Sequence, residues 1–413
     1  MKNNLTEDEK KQFEKILESL GESLDITKTQ YENLIRSYNA VGEFLKNDPE
    51  LMPYHPVVSP QGSLRLGTII QPVNPKDDLD VDLVFRLLDK DKSWTQKDIK
   101  DRVGARLNSS SRYSSMVENK EGRRCWTLLY RDKAEDPKEK YHMDILPCVA
   151  SADYNDRVNR MMGYEFSLTN VQDSLIHITD KKKDNYETSP YVDEWLSSNP
   201  DGYAFWFASR CKSVCDSSMN FSSVKDVLSV DEYREKKLPL QRIVQILKRH
   251  RDYMFVHDTE NKPVSIIITT LAAKAYKGES NILEGLVNVT QHMQDYIEVY
   301  EDGTCRVENP VDPEENFADK WVEKPQKKIK FFKWLEKVKQ DVNDIVCANG
   351  SDWQKVINDN FGRDVLERMN SIYADKYKKA LSTGSLLVGS SGTLGAIGRV
   401  VNNAHTFYGD KDE

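Results

Sequence analysis

Residues 61–85 read QGSLRLGTIIQPVNPKDDLDVDLVF, a Gln-Gly-Ser turn and then four aspartates that run into an apolar segment. Asp78, Asp80 and Asp82 lie two apart, so on a strand they share one face, while Leu79, Val81 and Leu83 face a core. Asp77 is out of that phase and is expected in a solvent-facing loop. Neighbouring carboxylates repel, and burying them is costly unless a cation compensates. Mg²⁺ takes hard oxygen ligands of this kind, and Mn²⁺ is its natural substitute. Asp144, in HMDILPCV, is a further lone carboxylate in an apolar strand pattern. If the two strands are neighbours, Asp80, Asp82 and Asp144 converge as a two-metal in-line displacement at phosphorus requires. The competing reading is an edge strand with its charges in water.

Gln61-Gly62-Ser63 weakens that alternative. A Gly-Ser turn ahead of a helix start offers backbone N–H groups and a hydroxyl to a phosphate, with Gly allowing close backbone approach. Gly384-Ser385 and Gly389-Ser390 precede no carboxylate strand and read as tail. His142 shares the strand face of Asp144 and is either a support for the metal site or an ordinary strand histidine.

The elements that must position these residues are mixed. Residues 79–87, 123–131 and 140–150 are strand candidates, with a charged, hairpin-like connection, DKAEDPKE, between the last two. An antiparallel or mixed sheet follows from that pattern. A helical stretch over 5–47 opens with the capping-box pair Thr6 and Glu9, and a second helix starts near Asp25. From about residue 190 the periodicity is helical, in 231–255, 264–276, 281–297, 319–346 and 352–362. The fold class is therefore α+β: N-terminal spine helices over 1–50, a core over 51–190, and a helical domain over 191–413, with a cleft between the last two.

The net charge of −8 argues against a protein that lives on duplex nucleic acid. The N-terminus, MKNNLTEDEKK, lacks the apolar core of a secretory signal, and the apolar run 264–273 is too short for a membrane span, so a cytoplasmic location is expected. The six cysteines form no CxxC pair, and Cys211 and Cys215 have no histidine cluster near them, so reduced thiols are expected rather than zinc.

Gly62-Ser63, Asp80-Val81-Asp82 and the later Asp144 resemble the signature of the DNA polymerase beta-like nucleotidyltransferases. With SNPDGYAFWFASR, LQRIVQILKRHRD, PVSIIITTLAA, NPVDPEENFADKW and HTFYG, the chain from about 60 to 409 resembles the bacterial cGAS/DncV-like branch. The resemblance implies a cleft enzyme that joins nucleoside triphosphates, ATP among them, into an adenine-containing cyclic di- or trinucleotide and releases pyrophosphate. It places such an enzyme in anti-phage (CBASS-type) signalling, where the messenger activates a separate effector and regulatory proteins can act upstream. It assigns Asp80 and Asp82 to the metal ions and donor triphosphate, and Asp144 to the metal site and the acceptor hydroxyl. Gln61, Gly62 and Ser63 would contact the donor nucleotide, and Lys248 and Ser265 its triphosphate tail. The loop around Asn309 and Asp312 would lie near base or ribose, although turn residues of this type also serve loop structure alone. Ser265 reads equally as a helix N-cap after Pro263, and Lys248 as one lysine of a basic helix face.

Two other readings use the same residues. A template-independent RNA 3′-end nucleotidyltransferase or poly(A)-type polymerase needs a basic RNA surface, for which KPQKKIKFFKWLEKVK (324–339) is the candidate. That stretch reads more simply as an amphipathic helix burying Phe331, Phe332, Trp334, Leu335 and Val338. Stable nucleic-acid binding is therefore not expected. A catalytically dead nucleotide-binding module is opposed by the complete carboxylate set.

Overall fold

The computed structural model describes residues 6–73, 78–118, 121–130, 140–150, 175–212, 236–347 and 352–382, and the backbone of three short strands between 387 and 400. Asp77, Cys215, DKAEDPKE, the tail Gly-Ser pairs, HTFYG and the terminal GDKDE lie outside the described residues. The chain divides into two compact units, Leu24–Gln340 and a smaller one made of Met1–Ser23 with Asp341–Glu413. In the smaller unit α1 (Glu7–Ser23) packs on a C-terminal helix, Arg363–Ser382, with Lys376 bonded to Glu22 at 2.8 Å.

This division differs from boundaries at 50 and 190. Helix α2 (Lys28–Lys46) starts at a Thr27–Gln30 capping box, and its Leu34, Tyr38, Val41 and Leu45 are buried in the same core as the sheet. Strand pairing also continues past residue 190.

The sheet of the larger unit runs β1 (Pro56–Gln61), β2 (Leu79–Leu87), β4 (Tyr141–Ala150), β5 (Ile176–Ile178) and β6 (Leu196–Ser198), with β3 (Trp126–Tyr130) on β4. The β3–β4 pair is antiparallel, as the hairpin-like connection predicts. The β2–β4 pair is parallel, so the sheet is mixed. Parallel neighbours need a long crossover, and here it includes a helix, Gln96–Asn108. On β2 the phase is as read from the sequence: Leu79, Val81, Leu83, Phe85 and Leu87 enter one core, each contributing about 1.5–3 kcal/mol of burial.

After the sheet come the helices Pro200–Cys211, Pro239–Met254, Ser265–Ala275, Ile282–His292 and Pro325–Cys347. In the second of these Leu240, Ile243, Val244 and Leu247 are wholly buried. In the last, Phe331, Trp334, Leu335 and Val338 face inward, while Lys330 reaches Asp258, and Lys324, just ahead of the helix, reaches Glu260. The basic stretch is thus the outer side of an amphipathic helix pinned to a neighbouring loop. Among the described residues no helix is long and apolar enough to cross a membrane, and the described cysteines are free thiols.

Candidate active site

The parallel register aligns Asp82 with Asp144 and Asp80 with His142. The antiparallel β1–β2 register aligns Gln61 with Asp82. The two halves of the opening motif therefore meet at one rung of the sheet. At Gly62 the chain leaves β1 with φ +63°, and an added Cβ would overlap the Asp82 carboxylate. Only glycine permits both the left-handed turn and that close approach. The single helical turn Gly62–Arg65, here α3, follows at once.

A cavity of about 900 Å³ opens above this rung. Its wall includes Gly62, Ser63, Asp80, Asp82, Lys248 and Ser265. Gln61, Asp144 and Asp312 are not on that wall. Asp144 accepts a hydrogen bond from Thr127 Oγ1 at 2.5 Å, across the β3–β4 pair. Asp312 is buried and accepts from Ser197 Oγ at 3.0 Å. Asn309 is buried too; it donates to Glu315 and accepts from the Val311 amide, which is the behaviour of a loop-organising residue.

The carboxylates are electrostatically uncomfortable. Burial, then the charges of Asp144 and Asp80, push the Asp82 carboxyl up to about 7. The side chain of Asp80 is 86 % exposed to the cleft, yet the protein crowding around it still raises its carboxyl, opposed by His142. His142 stands between two aspartates, with Nε2 2.8 Å from Asp78 and Nδ1 3.9 Å from Asp80. Asp78 is thereby tied to a ring nitrogen rather than to the row of open carboxylates.

Across the cavity, Lys248 is buried and donates to Thr68 O at 3.0 Å, and burial lowers its pKa to about 8. Ser265 is not an N-cap. Val264 holds that position, and Ser265 begins the helix with its hydroxyl accepting from Arg251 Nη1 at 2.7 Å. Arg251 and Lys262 also line the cavity, both bonded to Asp252. Arg251 was legible in principle: Lys248, Arg251 and its partner Asp252 follow the i, i+3, i+4 phase of one helix face.

The turn is held from behind by a buried ion cluster. Asp201, at the start of the helix Pro200–Cys211, contacts both Arg65 and Arg86. Burial works against the charge on each of the three, raising the Asp201 carboxyl and lowering both guanidinium groups. Arg65 also reaches Pro60 O at 3.4 Å and Arg86 reaches Ser59 Oγ at 3.2 Å, so both flanks of Gln61–Ser63 are fixed.

Residues 10–185 match the family described as the Second Messenger Oligonucleotide or Dinucleotide Synthetase domain. A protein of Roseivirga ehrenbergii named c-di-GMP synthase is 29 % identical over 98 % of this chain and all of its own length. The fold is similar to that of the Bradyrhizobium diazoefficiens CD-NTase CdnG, solved with GTP, at TM-score 0.62 and 17 % identity over 88 % of this chain and 99 % of that one. It is also similar to the Vibrio cholerae di-nucleotide cyclase DncV, solved with GTP, at TM-score 0.52 and 16 % identity over 88 % and 92 %. The fold is thus similar to that of the cGAS/DncV-like nucleotidyltransferases, and the stretch that carries the carboxylates matches the synthetase domain.

These similarities support a nucleotidyltransferase of the cyclic-oligonucleotide synthase class. Whether its residues suit a divalent cation is testable on the structure. Two neighbouring strands present Asp80, Asp82 and Asp144, with Asp82 and Asp144 in register, and burial together with their mutual repulsion raises Asp82. Hard, oxygen-only, uncompensated donors of this kind fit a divalent metal. Among the described residues no three such side chains form a closed cluster, and Asp144 accepts from Thr127.

Proposed function

We propose that this nucleotidyltransferase joins two purine nucleoside triphosphates into a cyclic dinucleotide. The observation that carries the reading is the rung at which Gly62 and Asp82 line a cation-walled cavity, with Asp144 paired to Asp82 on the neighbouring strand. Ser63 and the amides of α3 would grip the donor triphosphate near the reacting phosphorus, with Gln61 beside them. Lys248, Arg251 and Ser265 would meet its far end. Asp80, Asp82 and Asp144 would hold Mg²⁺ or Mn²⁺, which supplies charge neutralisation at the attacked phosphate. A ribose hydroxyl of the acceptor attacks the α-phosphorus; its oxygen bonds to phosphorus, pyrophosphate leaves, and Asp144 accepts the proton. A second attack closes the ring. Catalysis of this kind is mostly positioning and charge stabilisation. Asp312, held by Ser197, would act only through the loop that carries it.

The relative named c-di-GMP synthase supports guanine in the product, whereas the wider resemblance supports adenine. The experiment is to incubate the protein with labelled ATP, GTP, CTP and UTP and Mg²⁺ or Mn²⁺, remove phosphates enzymatically, and weigh the resistant product. A cyclic dinucleotide is expected. Long linear homopolymer would favour the RNA-tailing alternative instead. The signalling role in phage defence is tested separately, by plaque counts on cells carrying the protein with its genetic neighbours, against an Asp80→Asn, Asp82→Asn control.

A further inference from the structure

The helix Pro239–Met254 lies along the chain that leaves the Gly62–Ser63 turn, and its side chains bond that chain's carbonyls at successive turns. Gln241 Nε2 donates to Leu66 O at 2.9 Å, Gln245 Nε2 to Ile69 O at 2.8 Å, and Arg249 Nη1 to Gln71 O at 3.3 Å. Residues 241, 245 and 249 recur at i, i+4, i+8, one face of the helix. The segment 66–71 belongs to no strand, so these side chains replace the partners a sheet would have given its carbonyls.

The same segment sets the turn. Thr68 N donates to Ser63 O at 2.9 Å and Leu66 N to Gly62 O at 3.1 Å. Gly67 has φ +67°, and a Cβ there would overlap the Gln241 amide nitrogen, so a larger residue would strain the turn and push that amide aside. Gln245 is wholly buried with its amide bonded on three sides. Besides Ile69 O it donates to Asp25 Oδ1 at 2.9 Å, and it accepts from Arg242 Nη1 at 3.0 Å. Asp25 in turn accepts from Lys237 at 2.8 Å and Arg242 at 2.7 Å.

We propose that Gln241 and Gln245 are positioning residues for nucleotide binding. They clamp the 66–71 backbone to the helix and so fix where Ser63 and the α3 amides stand relative to Asp82. An amide is suited to this because it donates without carrying charge. A carboxylate at 245 would face Asp25, and an apolar side chain would deprive Ile69 O of its side-chain donor and Asp25 of one of its three. The proposal rests on the reading of the Gly62–Ser63 turn as the triphosphate grip.

The test uses the full chain with Gln245→Met and, separately, the milder Gln241→Met. Three quantities are read: affinity for a non-hydrolysable GTP or ATP analogue with Mg²⁺ by calorimetry, KM and kcat for product formation, and amide hydrogen exchange. The expected result is faster exchange confined to 62–72, with β2 and β4 unchanged, affinity weakened and KM raised roughly tenfold or more, and kcat changed much less. Unchanged affinity and KM in a folded variant overturn the proposal. So does a loss of affinity that merely tracks loss of protection throughout the protein. If Gln245→Met fails to fold, Gln241→Met decides. If the wild-type protein binds nucleotide but makes no cyclic product, the synthase reading fails while the affinity and exchange measurements still judge the clamp.

Discussion

Asp82 and Asp180 are both carboxylates drawn into the protein, and their surroundings push them in opposite directions. Burial would raise the Asp180 carboxyl, but hydrogen bonds from Arg123, the Lys182 amide and Arg124 hold it below the usual range. Asp180 is fully enclosed, and its own amide donates to Gln96 at 2.9 Å. Asp82 has Asp144 and Asp80 for neighbours, and its carboxyl stands at about 7. Asp25 and Asp201 resemble Asp180 in their contacts, each meeting two cations, although burial pushes the Asp201 carboxyl up to about 7. The difference separates two uses of a buried acid. A carboxylate matched by side-chain cations is part of the architecture. A carboxylate surrounded by its own kind is a site awaiting a cation that the chain does not supply.

The comparison breaks most sharply on substitution. Asp80→Asn and Asp82→Asn should each lower product formation at least ~10³-fold, because the cation that stabilises transition-state charge loses its ligand. Both variants should remain folded, and Asp82→Asn should melt higher than wild type without metal near neutral pH. Activity assays and thermal melts on the same samples check this. A large loss of stability in Asp82→Asn would place Asp82 with the architectural acids.

Asp201→Ala should show the reverse split. It strands Arg65 and Arg86, whose side chains are 1 % and 3 % exposed, and removal of one member of a buried ion cluster costs about 3–5 kcal/mol. Denaturant unfolding should record that loss. Activity should fall as well, since Arg65 and Arg86 hold both flanks of the turn at Gln61–Ser63. Added nucleotide should recover part of the stability. A variant as stable as wild type would show that the cluster is dispensable.

Much of the site is visible in the sequence for a physical reason. Strand alternation is strict, so the phase of Asp80 and Asp82 against Leu79, Val81 and Leu83 follows from spacing alone. The φ of Gly62 is likewise a local demand. Three features were not legible. The parallel pairing of β2 with β4, which puts Asp144 opposite Asp82, depends on a crossover between distant segments. Thr127 becomes the partner of Asp144 only once the β3–β4 register is fixed. Asp201 meets Arg65 and Arg86 across more than a hundred residues, and a lone Asp near a helix start reads locally as a favourable dipole contact. Ser265 errs by one position, because Val264 takes the cap and no side-chain bond marks it.

The smallest effect, and the one that sharpens the comparison most, is in the pH dependence of stability. The folded pKa of Asp82, about 7, lies above the unfolded value of 3.8. Between those values the folded protein keeps a proton that the unfolded chain releases. The contribution of this group is therefore complete below about pH 4, declines as pH rises, and is gone above about pH 7. It amounts to at most about 4 kcal/mol, and less to the extent that cleft water screens the charges. Melting without metal should accordingly fall from about pH 5 to about pH 8 by more in wild type than in Asp82→Asn. Saturating Mg²⁺ should remove the difference, since the ion binds the ionised carboxylates and replaces the proton. Asp180 carries the opposite sign: its depressed carboxyl loses stability as pH falls, so Asp180→Asn should flatten the acid limb instead. Equal slopes in wild type and Asp82→Asn would mean that Asp82 is already compensated in the free protein, and the distinction between the two kinds of acid would collapse.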